Sequence, residues 1–228
     1  MAILHFPTAS QTFPIQENIV LGAEADHRIA NNLGLIVGLL RLRARAVGKE
    51  AGMVDRAEVR VMLDDIAARI ETVARLHRML SQSYRDTVID LGAYLRELCA
   101  SLTAALSPDA RVRVSDDTHA CVLPPDQVLT LGMLISEIIT NSVKYAHPTG
   151  VPVHIDIGCH QSAGSLTVQI ADDGIGLPEN FDPLTDGGLG FRIVRALAAQ
   201  LGATVHFDSD ALGTSVEINI RSLVVTPR

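Results

Sequence analysis

Two glycine turns lie between a strand-like segment and a helix-like segment, and this arrangement restricts the possible folds more than any other stretch. The alternating run 166–171 leads directly into Asp172, and glycine turns at 174–176 and 188–190 precede an apolar-periodic run, 191–201. Strict alternation predicts a strand, whereas apolar residues at steps of three and four predict a helix. The sequence therefore predicts a strand end, a glycine-rich connection and a helix start that lie close together.

An apolar-periodic segment upstream, 131–146, carries three polar side chains on one face of its predicted helix. Glu137, Asn141 and Lys144 are spaced by four and three residues, so they lie on successive turns of that face. Asn141 offers Mg²⁺ a neutral carbonyl oxygen, Glu137 can orient a metal-bound water, and Lys144 can meet a phosphate. Asp172 can accept a hydrogen bond from an exocyclic amine, while glycine turns admit a ligand to the backbone and helix amides suit phosphate. The pattern predicts a pocket for an adenine nucleotide and its magnesium.

Two long helix-like segments precede this region. Residues 18–48 and 53–83 are rich in Leu, Ile, Ala and Arg, and the connection 48–52 is short and bracketed by glycines. Helices joined in this way form an antiparallel hairpin. Because two helices alone bury little surface, we expect the hairpin to pair with a second copy as a dimeric four-helix bundle. The second helix carries a heptad-like seam, in which apolar side chains recur at alternating steps of four and three. Its members are Val59, Leu63, Ile66, Ile70, Val73, His77 and Leu80, so His77 is expected to pack within the bundle.

The pattern changes to mixed helices and strands from about residue 88, which predicts an α+β layer with helices on one face of a mixed sheet. We predict an N-terminal extension at 1–17, the helical hairpin at 18–85 and the α+β domain at 86–228. The predicted helices of that domain are 88–106, 125–146 and 189–201, and its predicted strands are 111–114, 120–123, 153–157, 166–171, 204–207 and 215–220.

Charge, hydropathy and cysteine content exclude several classes of protein. The net charge of −7 argues against nucleic-acid binding. No apolar run reaches the ~20 residues that span a bilayer. Cys99, Cys121 and Cys159 form no CxxC or Cys/His pair, which is typical of reduced thiols. We expect a cytoplasmic protein without direct membrane insertion.

Four short motifs resemble those of the Bergerat-type ATP-binding fold. Residues 137–146 resemble its N box, 172–178 its G1 box, 188–194 its G2 box and 213–215 its late Gly-Thr element. Histidine kinases, anti-sigma serine kinases, chaperones, topoisomerases and mismatch-repair ATPases share that fold, so the resemblance implies ATP and Mg²⁺ but leaves the reaction open. With Asn141 as the magnesium ligand, the implied site is Glu137, Asn141, Lys144, Tyr145, Asp172, Gly174, Gly176, Gly188, Leu189, Gly190 and Thr214.

The first predicted helix indicates the reaction. Residues 24–33 resemble the phosphoacceptor motif of sensor histidine kinases of the HisKA_2/HWE class, and the match continues through Arg69 and His77 on the second helix. At ~100° per residue, His27 points roughly opposite the apolar positions of its own helix. His27 is therefore expected to be exposed, as a side chain that accepts a phosphoryl group from ATP must be.

The neighbours of His27 have expected roles in the same reaction. Glu24 lies three residues before His27 and is the first choice to hold one imidazole nitrogen as N–H, which leaves the other nucleophilic. Asp26 is the second choice, because adjacent carboxylates serve this role in related kinases. Asn31 matches a polar position that relatives use for phosphatase work, and Arg28 can meet phosphate or a partner's aspartate. The alternative interpretation of Glu24, Arg28 and Asn31 is that they have no role in the reaction and only form a solvated helix face.

The sequence thus predicts a two-component histidine kinase. ATP-Mg would phosphorylate His27, which would pass the group to an aspartate of a response-regulator receiver domain. The main alternative is a dimeric histidine phosphotransferase that relays phosphate between receiver domains without ATP. An anti-sigma type serine kinase would not explain the hairpin.

Two features depart from the family pattern. Residues 1–17 are too short for a sensor domain, so either the chain is a fragment or a separate sensor protein supplies the signal. His147 stands where relatives commonly carry an aromatic residue. Residues 177–187 are expected to form a short mobile lid.

Overall fold

The computed structural model divides into two compact units, residues 1–38 and 39–228, and the helices and strands whose bounds are given below lie in the second. The predicted first helix, 18–48, and its turn, 48–52, lie mainly outside the described residues, and the dimeric bundle stays a prediction. The described residues are 55–81, 88–106, 111–115, 121–147, 151–162 and 164–221, with Gly34, Val37, Gly38, Arg41 and Ala44, which are helical.

The order of helices and strands confirms the α+β prediction in the described part of the second unit. The helices are α1 (Arg56–Ser81), α2 (Leu91–Leu106), α3 (Pro125–Tyr145) and α4 (Leu189–Leu201). The strands are β1 (Ile89–Asp90), β2 (Arg111–Val114), β3 (Val122–Leu123), β4 (His154–Ser162), β5 (Ser165–Asp172), β6 (Ala203–Asp210) and β7 (Gly213–Arg221).

A five-stranded mixed sheet in the order β2-β4-β5-β7-β6 forms one layer. β2 runs parallel to β4, and the remaining neighbours are antiparallel. β1 and β3 form a separate antiparallel pair. Alternate side chains of the central strands are buried, as Ile157, Val168 and Ile218 illustrate. Since strand side chains alternate between faces, one face of the sheet is covered by helices.

The helix α3 is the centre of the helical layer and carries part of the predicted site. It begins directly after Pro124, and Pro125 occupies its first turn, where the missing N–H costs no hydrogen bond. Every residue from 131 to 139 is buried, because α3 packs against α1, α2 and α4. Asn141 follows this buried run, so a well-packed helix fixes its position.

The seam of α1 is buried over only part of its length in the single chain. Val73 and Leu80 are buried, as is Leu76, which the predicted seam omitted. Val59 and Leu63 are 41% and 60% exposed. His77 is half-buried. No described helix is long and apolar enough to cross a membrane.

The β4–β5 hairpin is tighter than predicted. The predicted strands end at 157 and begin again at 166, whereas Ser162 pairs directly with Ser165 and Gly164 between them adopts a positive φ of 91°. The polar residues at these strand ends carry no apolar alternation, which is why the pattern underestimated both strands.

Candidate functional site

Asp172 ends β5, and three donors hold its carboxylate. Oδ1 accepts hydrogen bonds from the backbone N–H groups of Gly174 and Thr214, each at 3.1 Å. Oδ2 accepts a hydrogen bond from the Ser142 hydroxyl at 2.7 Å. The antiparallel register places Thr214 directly opposite Asp172, which explains the long-range contact. Because a carboxylate has about four lone-pair positions, Asp172 can accept a further hydrogen bond from a ligand in a fixed direction.

A cavity of about 300 Å³ opens beside Asp172. It brings together Asn141 and Tyr145 of α3 with Asp172, Gly176 and Thr214, all of them predicted site residues. Tyr145 is 70% exposed and stands at the mouth. A mostly apolar wall with a few convergent polar groups is typical of small-molecule sites. The other lining residues are Ile138, Ser142, Ala146, Ile170, Ile175, Leu177, Pro178, Phe181, Phe191, Val194, Phe207 and Val216.

Three aromatic rings form one wall of this cavity. The ring centroids of Phe181 and Phe191 lie 5.1 Å apart, and those of Phe191 and Phe207 lie 5.8 Å apart. Tilted rings at such distances stabilise each other beyond their buried area. Sequence reasoning singled out neither Phe191 nor Phe207, because single aromatic residues in a helix and a strand give no signal of a shared wall.

Glycines permit close approach at two points of the site. Gly176 has φ of 75°, and a side chain there would overlap the backbone of Asp210. A side-chain carbon at Gly190 would lie 3.1 Å from Asn141 Oδ1, so the glycine turn and the carboxamide are immediate neighbours. Gly188 is the N-cap of α4 without a side-chain cap, and buried Leu189 follows it. The first amides of a helix have no intrahelical acceptor, and amides of this kind are suited to bind a phosphate.

Two family sequence models match the chain over most of its length. The model HisKA_2, described as "Histidine kinase", matches residues 24–106. The model HATPase_c, described as "Histidine kinase-, DNA gyrase B-, and HSP90-like ATPase", matches residues 126–223. The chain belongs to the histidine kinase family.

Two individual histidine kinases are similar to this chain in sequence, which supports the family assignment. "Blue-light-activated histidine kinase 2" of Erythrobacter litoralis is 28% identical over 203 residues, which are 87% of this chain and 56% of that protein. "Sensor histidine kinase PdtaS" of Mycobacterium tuberculosis is 30% identical over 200 residues, or 86% of this chain and 38% of that protein. The chain thus spans less than two thirds of either relative.

A solved structure of the family has the same fold. The blue-light activated histidine kinase EL346 of Erythrobacter litoralis superposes with a TM-score of 0.67 at 26% identity. The match covers 94% of this chain and 62% of that one.

Glu137 and Lys144, two of the predicted site residues, line a different cavity. They border a groove of about 450 Å³ that α1 and α3 share, together with Thr140 and Ser136. Glu137 still lies near the G2 turn, since its Oε2 is 3.6 Å from where a side-chain carbon of Gly190 would be. The structure therefore separates the predicted face of α3 into a cavity side and a groove side.

The second aspartate of the G1 box, Asp173, is bound by two histidines. His147 Nε2 lies 2.9 Å from Asp173 Oδ1, and His154 Nδ1 lies 2.8 Å from Oδ2. The backbone N–H of His154 also donates to Oδ1 at 2.9 Å. Desolvation raises the pKa of Asp173, but the hydrogen bonds from His154 and His147 outweigh it and lower the pKa to about 2. His147, the departure from the family pattern, thus fastens the end of α3 to the G1 turn.

The predicted lid is held at several points in this structure. Arg195 of α4 donates from Nη1 to the carbonyl oxygens of Pro183 and Asp186 at 2.7 and 2.9 Å. Leu177 N–H donates to Ser209 Oγ at 2.7 Å. These contacts fix the lid residues that carry Phe181 over the cavity.

The donor set of the site fits Mg²⁺ that is bound mainly through a nucleotide. Asn141 contributes one neutral amide oxygen beside the G2 turn. Among the described residues, no cluster of three or more His, Cys, Asp or Glu could hold a metal ion. Magnesium commonly keeps several waters and takes the rest of its shell from phosphates, so one protein oxygen is sufficient.

The predicted phosphoacceptor region cannot be placed in the same way. Residues 1–33 lie outside the described part of the chain, and this stretch contains Glu24, Asp26, His27, Arg28 and Asn31. Their roles stay predictions.

Proposed function

We propose that this chain is the catalytic part of a two-component histidine kinase, which phosphorylates His27 from ATP-Mg. The observation that carries the proposal is the carboxylate of Asp172, held by three donors beside Asn141 in one cavity. It occurs in a chain whose residues 24–106 match the HisKA_2 model. An ATP site and a phosphoacceptor motif in one chain favour autophosphorylation.

The described residues would bind and orient the nucleotide. Asp172 accepts a hydrogen bond from the adenine amine, and its three protein donors prevent the carboxylate from turning away. The aromatic wall of Phe181, Phe191 and Phe207 excludes water from the cavity. The first amides of α4 and the carboxamide of Asn141 meet the phosphate end. When bound, magnesium neutralises charge on the phosphate oxygens.

A nitrogen of His27 would then attack the γ-phosphorus in line, and the bond from that phosphorus to the β,γ-bridging oxygen would break to release ADP. Catalysis of this kind depends mainly on positioning and charge neutralisation. Glu24, or Asp26 in its place, orients the imidazole, while Arg28 and Asn31 act on the phosphoryl group or the partner. Phospho-His27 passes the group to an aspartate of a response-regulator receiver domain. The functional unit is a homodimer, and a separate sensor protein is a possible source of its signal.

Labelled ATP tests this proposal directly. The purified chain should acquire acid-labile label, as a phosphoramidate does, whereas His27→Ala and Asn141→Ala should not. Label retained by His27→Ala would exclude His27 as the acceptor. Mixing the two variants adds information, because a labelled Asn141→Ala chain would mean that one protomer phosphorylates the other.

The alternative, a phosphotransferase that does not use ATP, makes a different prediction for nucleotide binding. A nucleotide site raises the melting temperature in the presence of millimolar ATP-Mg by mass action. Absence of any shift would favour the relay, and a shift that Asn141→Ala abolishes would favour the kinase.

A further inference from the structure

Arg69 of α1 and Glu137 of α3 form a bidentate ion pair between two helices. Arg69 Nε donates to Glu137 Oε1 at 2.8 Å, and Nη2 donates to Oε2 at 3.1 Å. The two side chains are only 14% and 11% exposed. A guanidinium that meets both carboxylate oxygens is among the stronger and better oriented contacts in proteins. The pair therefore fixes the orientation of Glu137.

The position of this pair connects the hairpin to the nucleotide site. Glu137 lies one helical turn before Asn141, and its Oε2 lies near Gly190 of the G2 turn. Arg69 is on the helix that, by the HisKA_2 match, belongs to the phosphoacceptor region. Both side chains line the groove between α1 and α3. A movement of α1 relative to α3 would therefore change the surroundings of Glu137 before it changed those of Asp172.

We propose that Arg69 is an inhibitory latch, which occupies both carboxylate oxygens of Glu137 and must release them before phosphoryl transfer. This inference rests on the proposed function. A carboxylate with both oxygens bound to a guanidinium is a poor acceptor for a water or an imidazole proton at the phosphate end. The docked arrangement of α1 and α3 is the resting state. A signal that shifts α1 opens the pair and frees Glu137, so the latch converts a helix movement into a change of rate.

The test compares autophosphorylation rates of the full chain and an Arg69→Gln variant with labelled ATP at saturating concentration. Arg69→Gln removes the charge but keeps a long polar side chain in the groove. We expect its initial rate to rise about fivefold or more, the lower range of typical coupling between sites. The matched control is Arg60→Ala, because Arg60 lies on the same helix in an exposed pair with Asp64. That variant should label at the wild-type rate.

A second comparison shows whether the effect passes through Glu137. Glu137→Gln should lower the rate, and adding Arg69→Gln to it should produce no recovery. A general loosening of α1 would instead accelerate both backgrounds equally, which would overturn the latch. Nucleotide affinity, measured by calorimetry with ADP, should be the same in wild type and Arg69→Gln.

Other outcomes also decide the question. An unchanged or lower rate for Arg69→Gln, with nucleotide binding retained, overturns the latch and leaves the proposed function intact. If Arg69→Gln does not fold, Arg69→Lys serves instead, because a lysine ammonium lacks the planar fork that matches both carboxylate oxygens, so it should hold Glu137 less firmly and also raise the rate. A wild-type rate for a folded Arg69→Lys chain would then count against the latch. No label in any chain, wild type included, refutes the proposed function and this inference with it.

Discussion

The substitution Asp172→Asn isolates the contribution of the carboxylate that three protein donors hold beside the cavity. Oδ1 accepts the two backbone bonds from Gly174 and Thr214, and the introduced amide can keep both with its own oxygen. Its NH₂ group then takes the place of Oδ2 and donates a hydrogen bond to the Ser142 hydroxyl, which changes from donor to acceptor. The fold should therefore survive. Only the ability to accept a hydrogen bond from the adenine amine is lost.

The expected loss follows from that one contact. A buried amine left without an acceptor costs ~1–3 kcal/mol, which corresponds to roughly 5- to 150-fold in affinity. We expect the ATP dissociation constant of Asp172→Asn to rise within this range in calorimetry, with an unchanged far-ultraviolet circular dichroism spectrum. Ser142→Ala is the matched control, since it removes one donor to Asp172 and leaves the carboxylate in place. It should weaken ATP binding much less.

Inosine triphosphate sharpens the same experiment, because it carries a carbonyl where ATP carries the exocyclic amine. Wild type should prefer ATP. Asp172→Asn should lose or invert this preference, because the introduced amide can donate to the carbonyl. If Asp172→Asn lowered the affinity for ATP and for inosine triphosphate by the same factor, direct recognition of the amine would be refuted. The same conclusion would follow if Asp172→Asn bound ATP as wild type does.

Two further contacts make predictions with independent measurements. The pKa of Asp173 is lowered from 3.8 to about 2, so the stability that it contributes is present above pH 3.8 and is lost as the pH falls toward 2. His147→Ala should raise that pKa in an NMR titration of the carboxyl group, while an unchanged value would mean that the ring contact is unimportant. Arg195→Ala removes the donor to Pro183 and Asp186, so ATP should bind about fivefold more weakly for a loss of ~1 kcal/mol. The measurement is calorimetry, with Arg195→Lys as the partial replacement. Equal ATP affinity in wild type and both variants would contradict a role of the Arg195 hydrogen bonds in nucleotide binding.

The elements of the α+β domain could be predicted because their local patterns agree with their tertiary environments. Pro124 and Pro125 mark the start of α3, and the alternation of β5 continues to Asp172. The errors fall where no such pattern exists. The sequence pattern predicts one helix over 88–106, but residues 89–90 form β1 and pair with β3, so the helix α2 begins at Leu91. A two-residue strand at a helix start has no periodicity of its own.

The candidate site was predictable only in part, because motifs indicate candidate ligand-binding residues but not the residues that hold those candidates in place. Asn141 and Asp172 meet at one cavity, as their motifs indicated. Ser142, which holds Asp172, is the neighbour of Asn141 but carries no signal of a contact 30 residues away. The pairing of Arg69 with Glu137 spans 68 residues, and a single sequence gives no means to detect it.

The two sides of α3 explain how one helix can serve two processes. Asn141, Ser142 and Tyr145 face the cavity, whereas Glu137 and Lys144 face the groove with α1. Because α3 is buried along most of its length, it cannot rotate to exchange these sides without disrupting the core. A change at the groove must therefore reach the cavity through side chains near the shared edge, where Glu137 and Asn141 both approach Gly190. The proposed release of Glu137 would therefore act at the G2 turn on phosphoryl transfer rather than on nucleotide affinity. Residues deeper in α3 should contribute to stability rather than to this effect.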